Sequence, residues 1–157
     1  MMNNQNRKAF LDAIAFSELG PELLALSDNG YNVIVGSTPA KPILMKSYDD
    51  HPRVLVKLNA KLSSTAAGRY QLLSRYFDAY RRQLGLKDFS PASQDAIALQ
   101  QLKEQGALAL IDAGQCDKAV AKCANIWASL PGAGYGQHEN QLADLRVAFT
   151  RAGGQLA

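Results

Sequence analysis

Cysteine is scarce in this 157-residue chain: two residues, Cys116 and Cys123. On one helix that spacing is roughly 10 Å at ~1.5 Å per residue, beyond the ~7 Å Cα separation a disulfide tolerates. Two free thiols are expected, as in a protein made in a reducing compartment. There is no Cys-x-x-Cys pair, and His51 and His138 lie far from both cysteines, which excludes the usual zinc-site patterns. Long apolar runs are also missing. No stretch reaches the ~18–20 residues that span a bilayer. The polar start, Met1 to Arg7, is not followed by the apolar core and cleavage site of a signal peptide. Nor is there much charge of one sign: 17 Lys+Arg against 14 Asp+Glu, a net +3. That suits contact with an anionic surface but is too weak and too dispersed to argue for nucleic acid.

What remains is an ordinary globular composition, 47% hydrophobic and 20% charged, which excludes disorder and low complexity. The length fits one domain, residues 1–157. Arg7 to Phe16 reads as a helix, with Phe10, Leu11, Ile14 and Ala15 on one stripe and Gly20-Pro21 ending it. After a polar loop the period changes. Tyr31 to Val35, Ile43 to Met45 and Val54 to Leu58 are strand candidates, while Lys61 to Thr65 reads as polar and irregular. Residues 30–65 therefore form an expected small antiparallel β lobe. Helices are expected over Gly68–Leu84, from Ser90-Pro91 to about Gln105, over Ala107–Ala113, over Cys116–Ala128, and from about Glu139 to Ala152. The class is α+β: a mainly helical lobe, a small antiparallel β lobe, and a cleft between them.

Most carboxylates fall where solvent is expected. Asp78 is spaced to pair with Arg82 on a helix surface, Glu104 and Asp144 lie off the apolar stripes, and Asp117 and Glu139 sit in first turns. Asp95 continues a stripe but lies early in its helix, where the dipole stabilises its charge, and reads as structural. Glu18 differs. It continues the stripe of Phe10 and Ile14 at a helix end, where desolvation raises a carboxyl pKa and suits it to general acid work. A glutamate bonded to backbone, or one turned to water, fits the same spacing. Gln71, with Tyr70 before it, has an amide that both donates and accepts, as a sugar ligand requires. Tyr135 is the one aromatic of Gly132-Ala133-Gly134-Tyr135-Gly136, a flexible loop able to close over a ligand. That loop lacks the lysine of a phosphate loop. His51, in Asp49-Asp50-His51-Pro52-Arg53, reads as part of a solvated charged turn, and Trp127 as a core residue.

Several runs together resemble the bacteriophage lambda endolysin family across nearly the whole chain. They are Lys8 to Asp12, Ala15-Phe16-Ser17-Glu18, Gly30 to Gly36, Asp50 to Arg53, Ala67 to Ser74, Gln83 to Pro91 and Asn125 to Gln137. The resemblance implies a lysozyme-like fold and a lytic transglycosylase acting on peptidoglycan glycan strands. It implies Glu18 as the catalytic acid, and Asn32, Tyr48, His51, Tyr70, Gln71, Tyr135 and Gln137 as substrate-binding residues. Leu19 stands between Glu18 and Gly20, where the family pattern has glycine directly after the acid, and Asn32 stands where an aspartate is frequent. A hydrolytic muramidase and a non-catalytic wall-binding module are the alternatives. Neither metal nor organic cofactor is required. A monomer is expected, with no nucleic-acid partner and no membrane insertion. Synthesis in the host cytoplasm is expected, with action on the periplasmic wall once a holin has permeabilised the membrane.

Overall fold

The computed structural model describes residues 2–136 and 138–157, with side chains from residue 4 onward. Its elements are α1 (Met2–Leu19), α2 (Pro21–Ala25), β1 (Val56–Lys57), β2 (Ser63–Ser64), α3 (Ser74–Leu84), α4 (Pro91–Glu104), α5 (Leu108–Asp112), α6 (Cys116–Cys123) and α7 (Leu142–Arg151). They fall into two compact units, Leu19–Ile97 on the one hand and Met1–Glu18 with Ala98–Ala157 on the other. The α+β expectation holds.

Unit Leu19–Ile97 carries the β region. The strands are shorter than their sequence implies: β1 and β2 pair antiparallel, Val56 with Ser64 and Lys57 with Ser63. Val33–Leu44 and Ile34–Ala67 are isolated bridges. β2 lies inside the segment expected to be irregular, because its Ser-Ser pair offers backbone rather than apolar pattern to the ladder. Gly68 to Leu72 is a turn, not the start of a helix. Gly68 needs a φ of +85°, and a Cβ there would overlap Gln94 Oε1. Helix α3 therefore starts at Ser74, whose amide donates to Thr65 Oγ1. It ends at Gly85, which takes the left-handed cap conformation at φ 66°. Phe77 of α3 meets Phe89 edge-on at 5.1 Å, in a core with Ala67, Leu72 and Ile97. Ser90 caps α4 by accepting from the Ser93 amide, and Asp88 accepts from Ser90 N and Ser93 Oγ. Pro21 both ends α1 and opens α2, since a proline is favoured at the first helical position.

The other unit buries Phe10 and Ile14 of α1, as well as Leu102, Ile111, Trp127, Leu130, Leu145 and Phe149, all at most 3% exposed. α1 begins at Met2, earlier than its apolar stripe predicts, and the polar Asn6 is buried in it. Asn6 donates to the carbonyls of Ile111 and Gln155 and accepts from the Gln155 amide, tying α1 to α5 and to the C-terminal segment. α6 and α7 are shorter than expected; Ala124 to Ala128 leaves the helix, and Glu139 precedes α7. Cys116 and Cys123 are free and buried, and burial pushes their thiols up to about 11 and about 12.

Candidate active site

Glu18 occupies the last full turn of α1. The stripe that buries Phe10 and Ile14 turns Ser17 inward to 7% exposure and leaves Glu18 partly buried. Burial lifts the Glu18 carboxyl from the ordinary 4.5 to about 7, and a hydrogen bond from Ser129 opposes the rise. The carboxyl is thus near half-protonated at neutral pH. Of the carboxyl shifts resolved among the described residues, this is the one that goes up. Asp50, Asp78 and Asp117 are held down by arginine partners, Asp88 by Ser90 and Ser93, and Glu139 by backbone amides.

Three side chains of the same unit stand behind this carboxyl. Ser129 lies in the connection after α6, and its Oγ is 2.8 Å from Ser17 Oγ. Asn140, just before α7, directs Nδ2 at Ser17 O, Ser17 Oγ and Ser129 O, at 3.0, 3.0 and 3.4 Å. The glycine-rich loop beside them is braced. Glu139 accepts from the amides of Gly132 and Gly134, both at 2.9 Å, and Tyr135 donates to the Asn125 carbonyl at 2.7 Å. Tyr135 is 54% exposed, so its ring faces solvent while its hydroxyl anchors the loop. Glu139 acts on this loop rather than in the first turn of a helix. Gln137 lies outside the described residues.

The remaining expected contacts belong to the unit Leu19–Ile97. Asn32 Oδ1 accepts from the Asp28 amide at 2.9 Å, and Tyr48 donates its hydroxyl to Asp28. Gln71 sits at φ 51° and donates from Nε2 to the Gly68 and Val33 carbonyls. Tyr70 is buried and donates to Asp95 at 2.6 Å; Tyr31 donates to the same carboxylate at 3.0 Å. The Arg69 guanidinium lies over both tyrosine rings, 5.3 and 5.6 Å from their centroids. Asp95 is therefore structural, as its position suggested, through two phenols.

His51 overturns the expectation of a solvated turn. It is 2% exposed, with its ring 4.9 Å from Phe89 and 5.9 Å from Phe77. Nε2 lies 2.8 Å from the Leu72 carbonyl, which only accepts, and Nδ1 accepts from the Arg53 amide at 3.0 Å. The ring is accordingly the neutral Nε2–H tautomer, and burial lowers its pKa. Asp78 also departs from expectation: it pairs with Arg53 at 2.6 Å rather than with Arg82, because the turn carrying Arg53 brings a guanidinium within bidentate reach.

Sequence reasoning missed Ser129, Asn140 and the Glu139 clasp. Ser17 was visible as the residue before Glu18. Nothing local to positions 129 or 140 signals that they converge on α1, about 110 and 120 residues earlier.

A partly buried carboxyl at the end of a long N-terminal helix, in a mainly helical α+β chain with a small β region, fits a lysozyme-type protein. Bacteriophage lambda lysozyme complexed with a chitohexasaccharide matches at a TM-score of 0.90 and 57% identity, over 98% of this chain and 97% of that one. A second structure of bacteriophage lambda lysozyme matches at 0.86 with the same identity and coverage. The chain belongs to the Endolysin family, whose model it matches over residues 8–156. It is 60% identical over 156 residues to the Endolysin of Escherichia phage lambda, covering 99% of this chain and 95% of that one. To the Endolysin of Escherichia phage P2 it is 46% identical over 158 residues, covering 96% and 94%.

Proposed function

We propose that the chain is a peptidoglycan lytic transglycosylase that cleaves the β-1,4 bond between N-acetylmuramic acid and N-acetylglucosamine with Glu18 as its acid. The observation that carries this reading is the Glu18 carboxyl itself, poised at about 7 by burial and touched by Ser129. The chitohexasaccharide bound to the related lysozyme supports a β-1,4-linked glycan as substrate.

Protonated Glu18 donates to the bridging oxygen, and the C1–O bond breaks with positive charge developing at the muramic C1. The substrate's own N-acetyl group helps to stabilise that charge. Glu18, now a carboxylate, takes the proton from the C6 hydroxyl of the same sugar, and that oxygen bonds to C1 to close a 1,6-anhydro ring. Glu18 ends protonated, ready for another cycle. A pKa near the working pH makes both transfers accessible to one group. Asn32 in place of an aspartate agrees with a mechanism that needs no second carboxyl, unlike ordinary glycosidases. Asn32, Tyr48, Gln71 and Tyr135 hold the glycan in this reading. Tyr70 and His51, buried and hydrogen-bonded, act by shaping the segments around them. The same reading has the protein made in the host cytoplasm and reaching the wall after the membrane is breached.

Glu18→Gln tests it. Wall lysis should fall by about 10²-fold or more, with circular dichroism unchanged. Muropeptides released by the parent should be one water lighter than reducing-end products. Lysis by Glu18→Gln near the parent rate would remove Glu18 as the acid; reducing ends would make the enzyme a hydrolase.

A further inference from the structure

We propose that Asn140 and Ser17 are positioning residues for Glu18. They form a directed hydrogen-bond relay that makes Ser129 a donor to the Glu18 carboxyl and leaves the carboxyl's own proton for the leaving oxygen. This rests on the reading of Glu18 as the acid.

The direction of the relay follows from the groups at its far end. Asn140 Nδ2 faces two carbonyl oxygens, Ser17 O and Ser129 O, as well as Ser17 Oγ. Carbonyl oxygens only accept, so the nitrogen end of the amide must lie there, and Ser17 Oγ receives an N–H. Ser17 has one proton of its own, and Ser129 Oγ at 2.8 Å is its partner among the described residues. If Ser17 donates to Ser129, the Ser129 proton is left for Glu18, the contact that draws the carboxyl's affinity for protons down. The reverse orientation gives Ser17 two donors and leaves its buried hydroxyl hydrogen without an acceptor, which costs free energy. Asn140 also fixes the backbone of this turn, because its own amide donates to Ser129 O at 2.8 Å.

A donor aimed at one carboxyl oxygen has two consequences. It stabilises the carboxylate that exists between the two proton transfers. It also prevents the acid proton from settling on Ser129, since that hydroxyl already accepts from Ser17. Several charged groups of neighbouring elements in this unit are engaged elsewhere. Arg7 of α1 pairs with Asp112 of α5, Asp117 of α6 with Arg146 of α7, and Glu139 with the Gly132 and Gly134 amides, while His138 is exposed.

The test is a carbon-13 NMR titration of the Glu18 side-chain carboxyl in the full chain, with lysis of purified peptidoglycan alongside. Asn140→Ala and Ser17→Ala should each raise the Glu18 midpoint by roughly half to one pH unit, because a donor to the charged form is lost. Ser129→Ala should raise it at least as much, and Ser17→Ala combined with Ser129→Ala no further. Ser129→Thr, which keeps the hydroxyl, should hold the parent midpoint. The alkaline limb of lysis should move with the midpoint while the maximal rate falls about 5- to 10-fold and half-saturation by wall stays within about twofold. An unchanged midpoint in Ser17→Ala overturns the relay, and that variant decides the matter if Asn140→Ala does not fold. If Glu18→Gln abolishes lysis and the midpoints stay still, the relay alone fails. If the midpoints move but Glu18→Gln still lyses the wall, the relay stands and the catalytic reading fails.

Discussion

Glu18 costs the folded chain stability wherever it is ionised. A carboxyl whose folded pKa is about 7 against an ordinary 4.5 binds its proton more tightly folded than unfolded. Stability from this group is therefore fully present below about 4.5 and is lost as pH rises through 7, by up to about 3 kcal/mol. Glu18→Gln, neutral at every pH, should melt higher than the parent at pH 8 and show no gain at pH 4; differential scanning calorimetry at the two pH values checks this. Among single residues, Glu18 was legible from the sequence because a charged residue on an apolar stripe stands out against Phe10 and Ile14. His51 was not. The flanking Asp49, Asp50 and Arg53 make the segment look solvated, and only the aromatic pair Phe77 and Phe89 gives the imidazole its dry surroundings.

Elements in this protein begin and end for reasons the one-dimensional pattern carries unevenly. Ser90-Pro91 and Gly85 mark helix ends by chemistry confined to a few neighbours, and the structure has them there. Gly68 is different, since its positive φ and its fit against Gln94 come from α4, about 25 residues on. Gly68→Ala should destabilise the chain by about 2 kcal/mol or more, through strained backbone and a displaced Gln94; urea unfolding measures it. The glycine-rich loop is held by a carboxylate outside it. Glu139→Ala should leave the melting temperature close to the parent's but speed hydrogen exchange at the Gly132 and Gly134 amides, which lose their acceptor. Exchange rates equal to the parent's would remove the clasp. β1 lies inside the Val54–Leu58 candidate, whereas β2 was missed because a two-residue Ser-Ser strand carries no alternating pattern to read.

At the scale of the whole molecule, titrating groups pull stability in opposite directions. His51 has a lowered pKa, so its contribution is present above the ordinary 6.5 and is lost as pH falls below it. The lowered carboxyls Asp50, Asp78 and Asp117 lose theirs at lower pH still. Glu18 acts the other way. The melting temperature should pass through a maximum and fall on the acid side, and His51→Gln should flatten the fall below about pH 6.5; a thermal melt series across pH tests both. Composition, helix stripes, helix-end signals and the carboxyl side chain that interrupts the first stripe were determined by the sequence alone, because each depends on residues within a few turns of one another. The Ser17–Ser129–Asn140 chain, the buried imidazole, the Glu139 clasp and the partner of Asp78 were decided only by tertiary structure. All but one of their hydrogen bonds and ring contacts join positions from five to more than a hundred residues apart, and short-range geometry says nothing about which distant donor will meet which acceptor.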